Sequence, residues 1–390
     1  MKDKLAHLKA LVDQLGREAA LLKLSKQYTR DEIAVLMDQL DGREVARNKY
    51  PSLAGREDIT YPPSYYLEQT SSEVTARFKA SLVQGDLLID MTGGFGIDTY
   101  FFSQKMGRTI YIEQDPVIFE IASRNLAILN PSVKTSCTDA VNFLKSFEEK
   151  ADWLYLDPIR RTKGRRFSRL EEFSPNIIEI QSLLFERGHN VMIKLSPMLD
   201  IHQLVKALDG KVRQVYVLAV DNECRELLLV ADNGMHDDPV VESIHWTKGV
   251  EQRFVTRLHA GTPPVSLSDP LEYLYEPNAA IFKAHQYDEQ AKQYSLLKLH
   301  PNTHLYTASE IKRGYEGKIY RIMAVSALDA RDLARITSVT SFNIKTRNFP
   351  LSPEQVAKKL HVKEGGDAYM FCVKIKDGKL KALVCDYYMD

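Results

Sequence analysis

DLLIDMTGGFGIDTYFF, residues 86–102, decides the fold. A short apolar run reaches an acid, Asp90, and then a turn holding Gly93, Gly94 and Gly96 before a helical pattern begins. Glycines between a strand and a helix let backbone approach a ligand closely, with the helix N-terminus aimed at it. The next apolar run, TIYIEQDP, ends at Glu113. In doubly wound sheets an acid at that place binds the ribose hydroxyls of a nucleoside cofactor. Asp115 and Pro116 then open a helix as cap and first-turn residue. In SCTDAVNFL, Asp139 follows a third short strand, where an acid meets the rim of an adenine ring; it reads equally as a helix cap.

Outward from this turn, strands alternate with helical stretches. DLLIDM, TIYIEQ, DWLYLD, VMIKLS and VRQVYVLAV are the strands, and residues 98–106, 116–129, 140–149, 173–187 and 200–209 the helical candidates. Apolar strands alternating with helices predict an α/β domain whose parallel sheet is covered on both faces. VRQVYVLAV and RELLLVAD are separated only by Asp221 to Cys224, too few residues for a parallel crossover, so the last strand is reversed.

The flanks read differently. Leu5, Leu8, Leu11, Leu15 and Leu22 recur at helical spacing, and Thr29 with Glu32 fits a capping box. The predicted organisation is a helical region over 1–78, a Rossmann-like domain over 79–236, a linker with a small α+β unit over 237–320, and a second α+β unit over 321–390. In the last of these, Ser352-Pro353 starts a helix, Gly365-Gly366 ends that unit, and Asp377-Gly378 is a hairpin turn.

Lys plus Arg equals Asp plus Glu, 52 against 52, so a polyanionic partner must announce itself locally. It does so at YLDPIRRTKGRRFSR, residues 155–169. The strand Trp153–Leu156 stops at Asp157 and Pro158, and Arg160, Arg161, Lys163, Arg165, Arg166 and Arg169 follow at once. Proline ends the ladder at the crevice where open α/β sheets bind ligands. Basic residues beside it would face the phosphates of a nucleic acid. Lys194, after the fifth strand, would line the opposite wall, or snorkel from a strand end. Lys345 and Arg347 alternate on a late strand, Lys358 and Lys359 lie on the following helix, and together they form a second candidate RNA-facing surface.

The four cysteines are scattered, with no metal spacing, and predict reduced thiols in the cytoplasm. No apolar stretch approaches the length of a membrane span, and the first residues lack a signal peptide's apolar region. A nicotinamide site prefers G-x-G-x-x-G; Thr99 stands where its third glycine would fall. A P-loop is excluded on sequence.

D-x-T-G-G-x-G-x-D at 90–98, Glu113, Asp139 and Asp157-Pro158 resemble the motifs of class I S-adenosylmethionine (SAM)-dependent methyltransferases. LEQTSSEVTARFKA (67–80), DPIRRTKGRR (157–166), IKLSP (193–197), LYEPNAAIFKAH (274–285) and SFNIKTRNFPLSPEQVAKKL (341–360) resemble the bacterial group with a ferredoxin-like linker and a THUMP-like C-terminal domain. The resemblance implies a seven-stranded Rossmann-like sheet with SAM over the ends of its first strands. Asp90, Gly93, Gly94 and Gly96 would serve the methionine part, Glu113 the ribose and Asp139 the adenine. Asp157, with Pro158 and Arg160, would stand at methyl transfer. It further implies an RNA substrate, since THUMP domains accompany RNA modification.

Base-amine methyltransferases often carry D/N-P-P-aromatic, whose ring stacks the flipped base; here the residues are Asp-Pro-Ile-Arg. Tyr155, Phe167 or Phe173 could supply a ring, each also readable as core. Carbon-5 pyrimidine chemistry needs a cysteine nucleophile in a suitable loop, and none is present. Three alternatives stay open: methylation of a small molecule or protein, RNA binding with a vestigial SAM site, and, with least support, a nicotinamide-binding protein. No metal is expected.

Overall fold

The computed structural model describes residues 2–160, 170–259, 261 and 264–388. The chain divides into two compact units: Met1–Leu195 with Gln203–Arg213 and Leu228–His236, and Ser196–His202 with Gln214–Leu227 and Asp237–Asp390.

The first unit begins with helices α1 (Lys2–Leu15), α2 (Arg17–Leu24) and α3 (Arg30–Lys49). Leu5, Leu8, Leu11, Ala20, Leu24, Leu36 and Met37 form their core. Leu22 falls off that face because Gly16, with φ of 80°, interrupts the helix before it and resets its phase; Leu15, the last residue of α1, is also exposed. The capping box forms: Glu32 N–H donates to the Thr29 hydroxyl and Thr29 N–H to the Glu32 carboxylate. Helices α4 (Ser64–Gln69) and α5 (Glu73–Leu82) then lead into the sheet.

The sheet strands are β1 (Leu87–Asp90), β2 (Arg108–Glu113), β3 (Lys134–Cys137), β4 (Ala151–Leu156), β5 (Gly188–Leu195), β6 (Val212–Val220), β7 (Glu223–Asp232), β8 (Val240–Thr247) and β9 (Val250–Arg257). Their order is β9-β8-β6-β7-β5-β4-β1-β2-β3. Pairs β1–β2, β1–β4, β2–β3 and β4–β5 are parallel. The reversed strand is β7, joined to β6 through Asp221 and Asn222, both at positive φ, as a two-residue hairpin turn requires. The expected seven strands are therefore present, in the order β6-β7-β5-β4-β1-β2-β3, and the count is corrected to nine. The additional pair, β8 and β9, is a hairpin turning on Lys248-Gly249, again both at positive φ.

Between the strands run α6 (Ile97–Phe102), α7 (Pro116–Leu129), α8 (Ala140–Ser146) and α9 (Ile177–Arg187). Residues 173–174, expected to be helical, instead pair antiparallel with Ile159–Arg160, and α9 starts after Asn176 caps it.

In the second unit, β10 (Tyr273–Pro277), β11 (Leu297–Lys298), β12 (Tyr306–Ala308), β13 (Gly317–Ser326), β14 (Ser341–Arg347), β15 (Lys363–Lys374) and β16 (Leu380–Tyr388) make a sheet ordered β11-β12-β10-β13-β16-β15-β14. Ser352 caps the Pro353–Leu360 helix, and Gly378 turns the β15–β16 hairpin with φ of 81°. Gly365 and Gly366 do not end a unit. They lie inside β15, at positive φ, where the β14–β15 register shifts in a bulge.

Candidate active site

In the first unit, β1 has β2 on one side and β4 on the other, so the chain leaves its end at the switch point of the sheet. A cleft of about 560 Å³ opens there. Asp90, Gly93, Gly94, Gly96, Glu113, Asp139 and Asp157 all line it.

The glycine turn is held by backbone. Gly93 N–H donates to the Ile112 carbonyl and Gly96 N–H to the Gly93 carbonyl, both at 2.8 Å. The two central glycines have different reasons to be glycine. A Cβ on Gly93 would lie 2.0 Å from the Tyr111 ring, whose hydroxyl donates to the Gly94 carbonyl at 2.6 Å. Gly94 sits at φ of 52° with nothing within 4 Å of an added Cβ. Gly93 is therefore packed against the sheet, and Gly94 leaves space where a ligand would come close.

Glu113 faces this turn. Its Oε2 accepts the Gly94 N–H at 2.9 Å and its Oε1 the Asp115 N–H at 2.8 Å. Each oxygen keeps a further lone-pair site, so the carboxylate can accept from a vicinal diol. Asp139 is the cap of α8, accepting the Asn142 N–H at 2.8 Å, and it also lines the cleft. The helix-cap reading of Asp139 is thus met, at a place on the cleft's border.

Asp157 is tied back to the glycine turn. Its N–H donates to the Thr92 hydroxyl at 2.6 Å, and its carboxylate accepts from the Lys194 ammonium. Burial pushes the Asp157 carboxyl up, with Lys194 opposing. Lys194 is thus buried against Asp157, and does not present a phosphate-binding charge. Pro158 is buried behind it. Arg160 continues into the two-residue strand paired with Phe173–Ser174. Arg161, Lys163, Arg165 and Arg166 lie outside the described residues, as does Phe167. Tyr155 and Phe173 are core side chains, 1% and 4% exposed.

Reading single positions missed a second layer of charge. Lys79, on α5, is fully buried and sits 3.0 Å from the Asp98 carboxylate. Asp98 also accepts from the Ser71 hydroxyl at 2.8 Å and the Tyr155 hydroxyl at 2.7 Å. Burial would raise the Asp98 carboxyl, but Lys79, Lys194 and Tyr155 hold it below its ordinary value. The available signals were the second acid of the 90–98 motif and the Ser71 and Lys79 of LEQTSSEVTARFKA. At the rim, the Tyr66 hydroxyl donates to Asp115 at 2.6 Å, which brings α4 over the cleft.

In the second unit, the expected RNA-facing cations of β14 are neutralised. Lys345 and Arg347 both bond the Glu276 carboxylate, and Lys345 lies over the rings of Tyr320, Tyr369 and Phe371. The cysteines are unpaired thiols; Cys372 and Cys385 are buried. Among the described residues, no group of three or more His, Cys, Asp or Glu side chains is placed to hold a metal ion. No helix of the described residues is long and apolar enough to cross a membrane.

A family model for a ferredoxin-like domain matches residues 273–315, and one described as THUMP domain-like matches 317–387. Two curated relatives from Mycobacterium tuberculosis strains, each called an uncharacterized S-adenosylmethionine-dependent methyltransferase, are 20% identical over 327 residues, which is 82% of this chain and 87% of theirs. The crystal structure of a candidate methyltransferase from Porphyromonas gingivalis W83 is 26% identical and superposes with a TM-score of 0.84, over 93% of this chain and 92% of that one.

Proposed function

We propose that this chain, a SAM-dependent methyltransferase, transfers its methyl group to structured RNA. The observation that carries the cofactor is the clasp between Gly94 and Glu113 at the sheet's switch point, with open space on the ligand side of Gly94. The residues fit the group: Gly93, Gly94 and Gly96 lie where the methionine part would run. Glu113 offers lone pairs to the ribose hydroxyls, and Asp139 stands at the adenine rim.

SAM held there would supply a methyl group activated for transfer by its sulfonium. The protein then has chiefly to align the acceptor. Asp157, held by the Thr92 hydroxyl and Lys194, presents a fixed carboxylate where the acceptor enters. Pro158 turns the chain outward there. Arg160, Arg161, Lys163, Arg165 and Arg166 are proposed to receive RNA phosphates. Lys194 is proposed to orient Asp157 in place of contacting RNA.

The RNA step is supported by the THUMP domain-like match at 317–387 and by six basic residues in the ten positions 160–169. Of the candidate stacking rings, Tyr155 and Phe173 are buried in the core, which leaves Phe167, outside the described residues, as the remaining candidate. Mass spectrometry of nucleosides from total RNA, with and without this protein in the cell, tests the proposal. Loss of one methylated nucleoside is expected; an unchanged nucleoside profile would contradict it.

A further inference from the structure

Five ionisable side chains stand together beneath the cleft of the first unit: Asp90 ending β1, Asp98 in α6, Asp157 after β4, Lys79 in α5 and Lys194 in β5. Two of the three carboxylates have a cation. Lys79 pairs with Asp98, and Lys194 with Asp157. Among the described residues, Asp90 has none. Its oxygens accept from neutral groups, the Thr92 N–H at 3.1 Å and the Thr99 hydroxyl at 2.6 Å.

Asp90 is 1% exposed, and it lines the cleft. Asp98 and Asp157 face it and repel its charge. On the neighbouring strand β2, the Tyr111 hydroxyl donates to the Gly94 carbonyl and Glu113 is engaged by the Gly94 N–H. Among the described residues of this cluster, with the aspartates ionised and the lysines protonated, three negative charges against two positive leave one negative charge. A buried carboxylate lacking a counterion is unfavourable and keeps its proton instead. Burial accordingly holds Asp90 protonated to about pH 7.

We propose that Asp90 is the residue by which the cleft distinguishes SAM from its product: the sulfonium supplies the missing positive charge, and the neutral thioether of S-adenosylhomocysteine (SAH) does not. This inference rests on the SAM reading above. SAM binding to the protonated cleft displaces the Asp90 proton to solvent. After transfer the positive charge is gone, Asp90 takes a proton back from solvent, and the hold on the product weakens.

Titration calorimetry of the full chain with SAM and with SAH, from pH 5.5 to 7 in two buffers of different ionisation enthalpy, tests it. SAM affinity should rise with pH toward a limit of about tenfold per unit, with up to one proton released per SAM bound. SAH affinity should stay flat. The window lies below the ordinary α-amino value of about 7.7–8.0, and both ligands carry that group. Asp90→Asn should weaken SAM binding at pH 7.5 by about tenfold, the equivalent of ~1.4 kcal/mol, and change SAH binding far less. Equal pH dependence for the two ligands, or equal weakening of both by Asp90→Asn, would overturn the inference while leaving SAM as cofactor. Binding of neither ligand would remove the SAM reading and this inference with it. Should the variant fail to fold, the two wild-type curves decide alone.

Discussion

The Gly94 amide donates to the Glu113 carboxylate at 2.9 Å, across the gap between the first two strands of the sheet. That bond joins the turn proposed to approach SAM to the acid proposed to read its ribose. Substitutions at the two glycines should therefore separate folding from binding. Gly94→Leu should abolish SAM binding, with a stability cost of about 1–2 kcal/mol for a left-handed backbone position. Gly93→Leu should instead unfold the first unit by collision with Tyr111. Thermal melts and SAM titrations of both variants check this. Undiminished SAM affinity in Gly94→Leu would place the ligand elsewhere.

The pair Lys79–Asp98 is buried, and removing one partner of such a pair typically costs about 3–5 kcal/mol. Lys79→Met should lose stability of that order in a denaturant titration at pH 7.5. A loss below about 1 kcal/mol would mean that Ser71 and Tyr155 alone satisfy Asp98.

Asp90 should make the cofactor-free protein more stable in acid than in mild alkali over its own range. Its carboxyl is raised from 3.8 to about 7 in the folded chain, so the folded state binds the proton more tightly. Asp90's contribution is therefore most favourable below pH 4 and declines as pH rises to 7. Asp90→Asn should gain stability over the wild type at pH 8, on the order of 2–4 kcal/mol, because a tenfold tighter hold on the proton is worth about 1.4 kcal/mol. The gain should shrink toward pH 5. A gain independent of pH would show that Asp90 is not the titrating group.

How much of this site was legible follows from where each residue's partner lies. Gly93, Gly94, Gly96, Glu113 and Asp139 were readable because strand–turn–helix spacing fixes them by local geometry. Lys79 was not: in EVTARFKASL it looks like an ordinary exposed helix lysine, and its partner Asp98 is brought to it by the packing of α5 on α6. Lys194, Lys345 and Arg347 were read as presented charge for the same reason. Their acids, Asp157 and Glu276, are 37, 69 and 71 residues away. The strands β8 and β9 are a different case. Their two-residue turn is a local signal, but they lie beyond the reversed strand with which a seven-stranded sheet is already complete.

RNA binding by the basic run should depend on salt. Replacing Arg160 and Arg161 with alanine should weaken binding to total tRNA and lower the salt slope by about 2, roughly one for each phosphate left without its arginine. An unchanged slope in filter binding across salt concentrations would remove those residues from the RNA surface.

The central claim is that the cleft between the Gly93–Gly96 turn and Glu113 holds an adenosyl sulfonium. Titration calorimetry with SAM, and in parallel with NAD, tests it most directly. Saturable binding of one SAM per chain, with no heat from NAD, is the predicted result. Clear heat with NAD and none with SAM would contradict it.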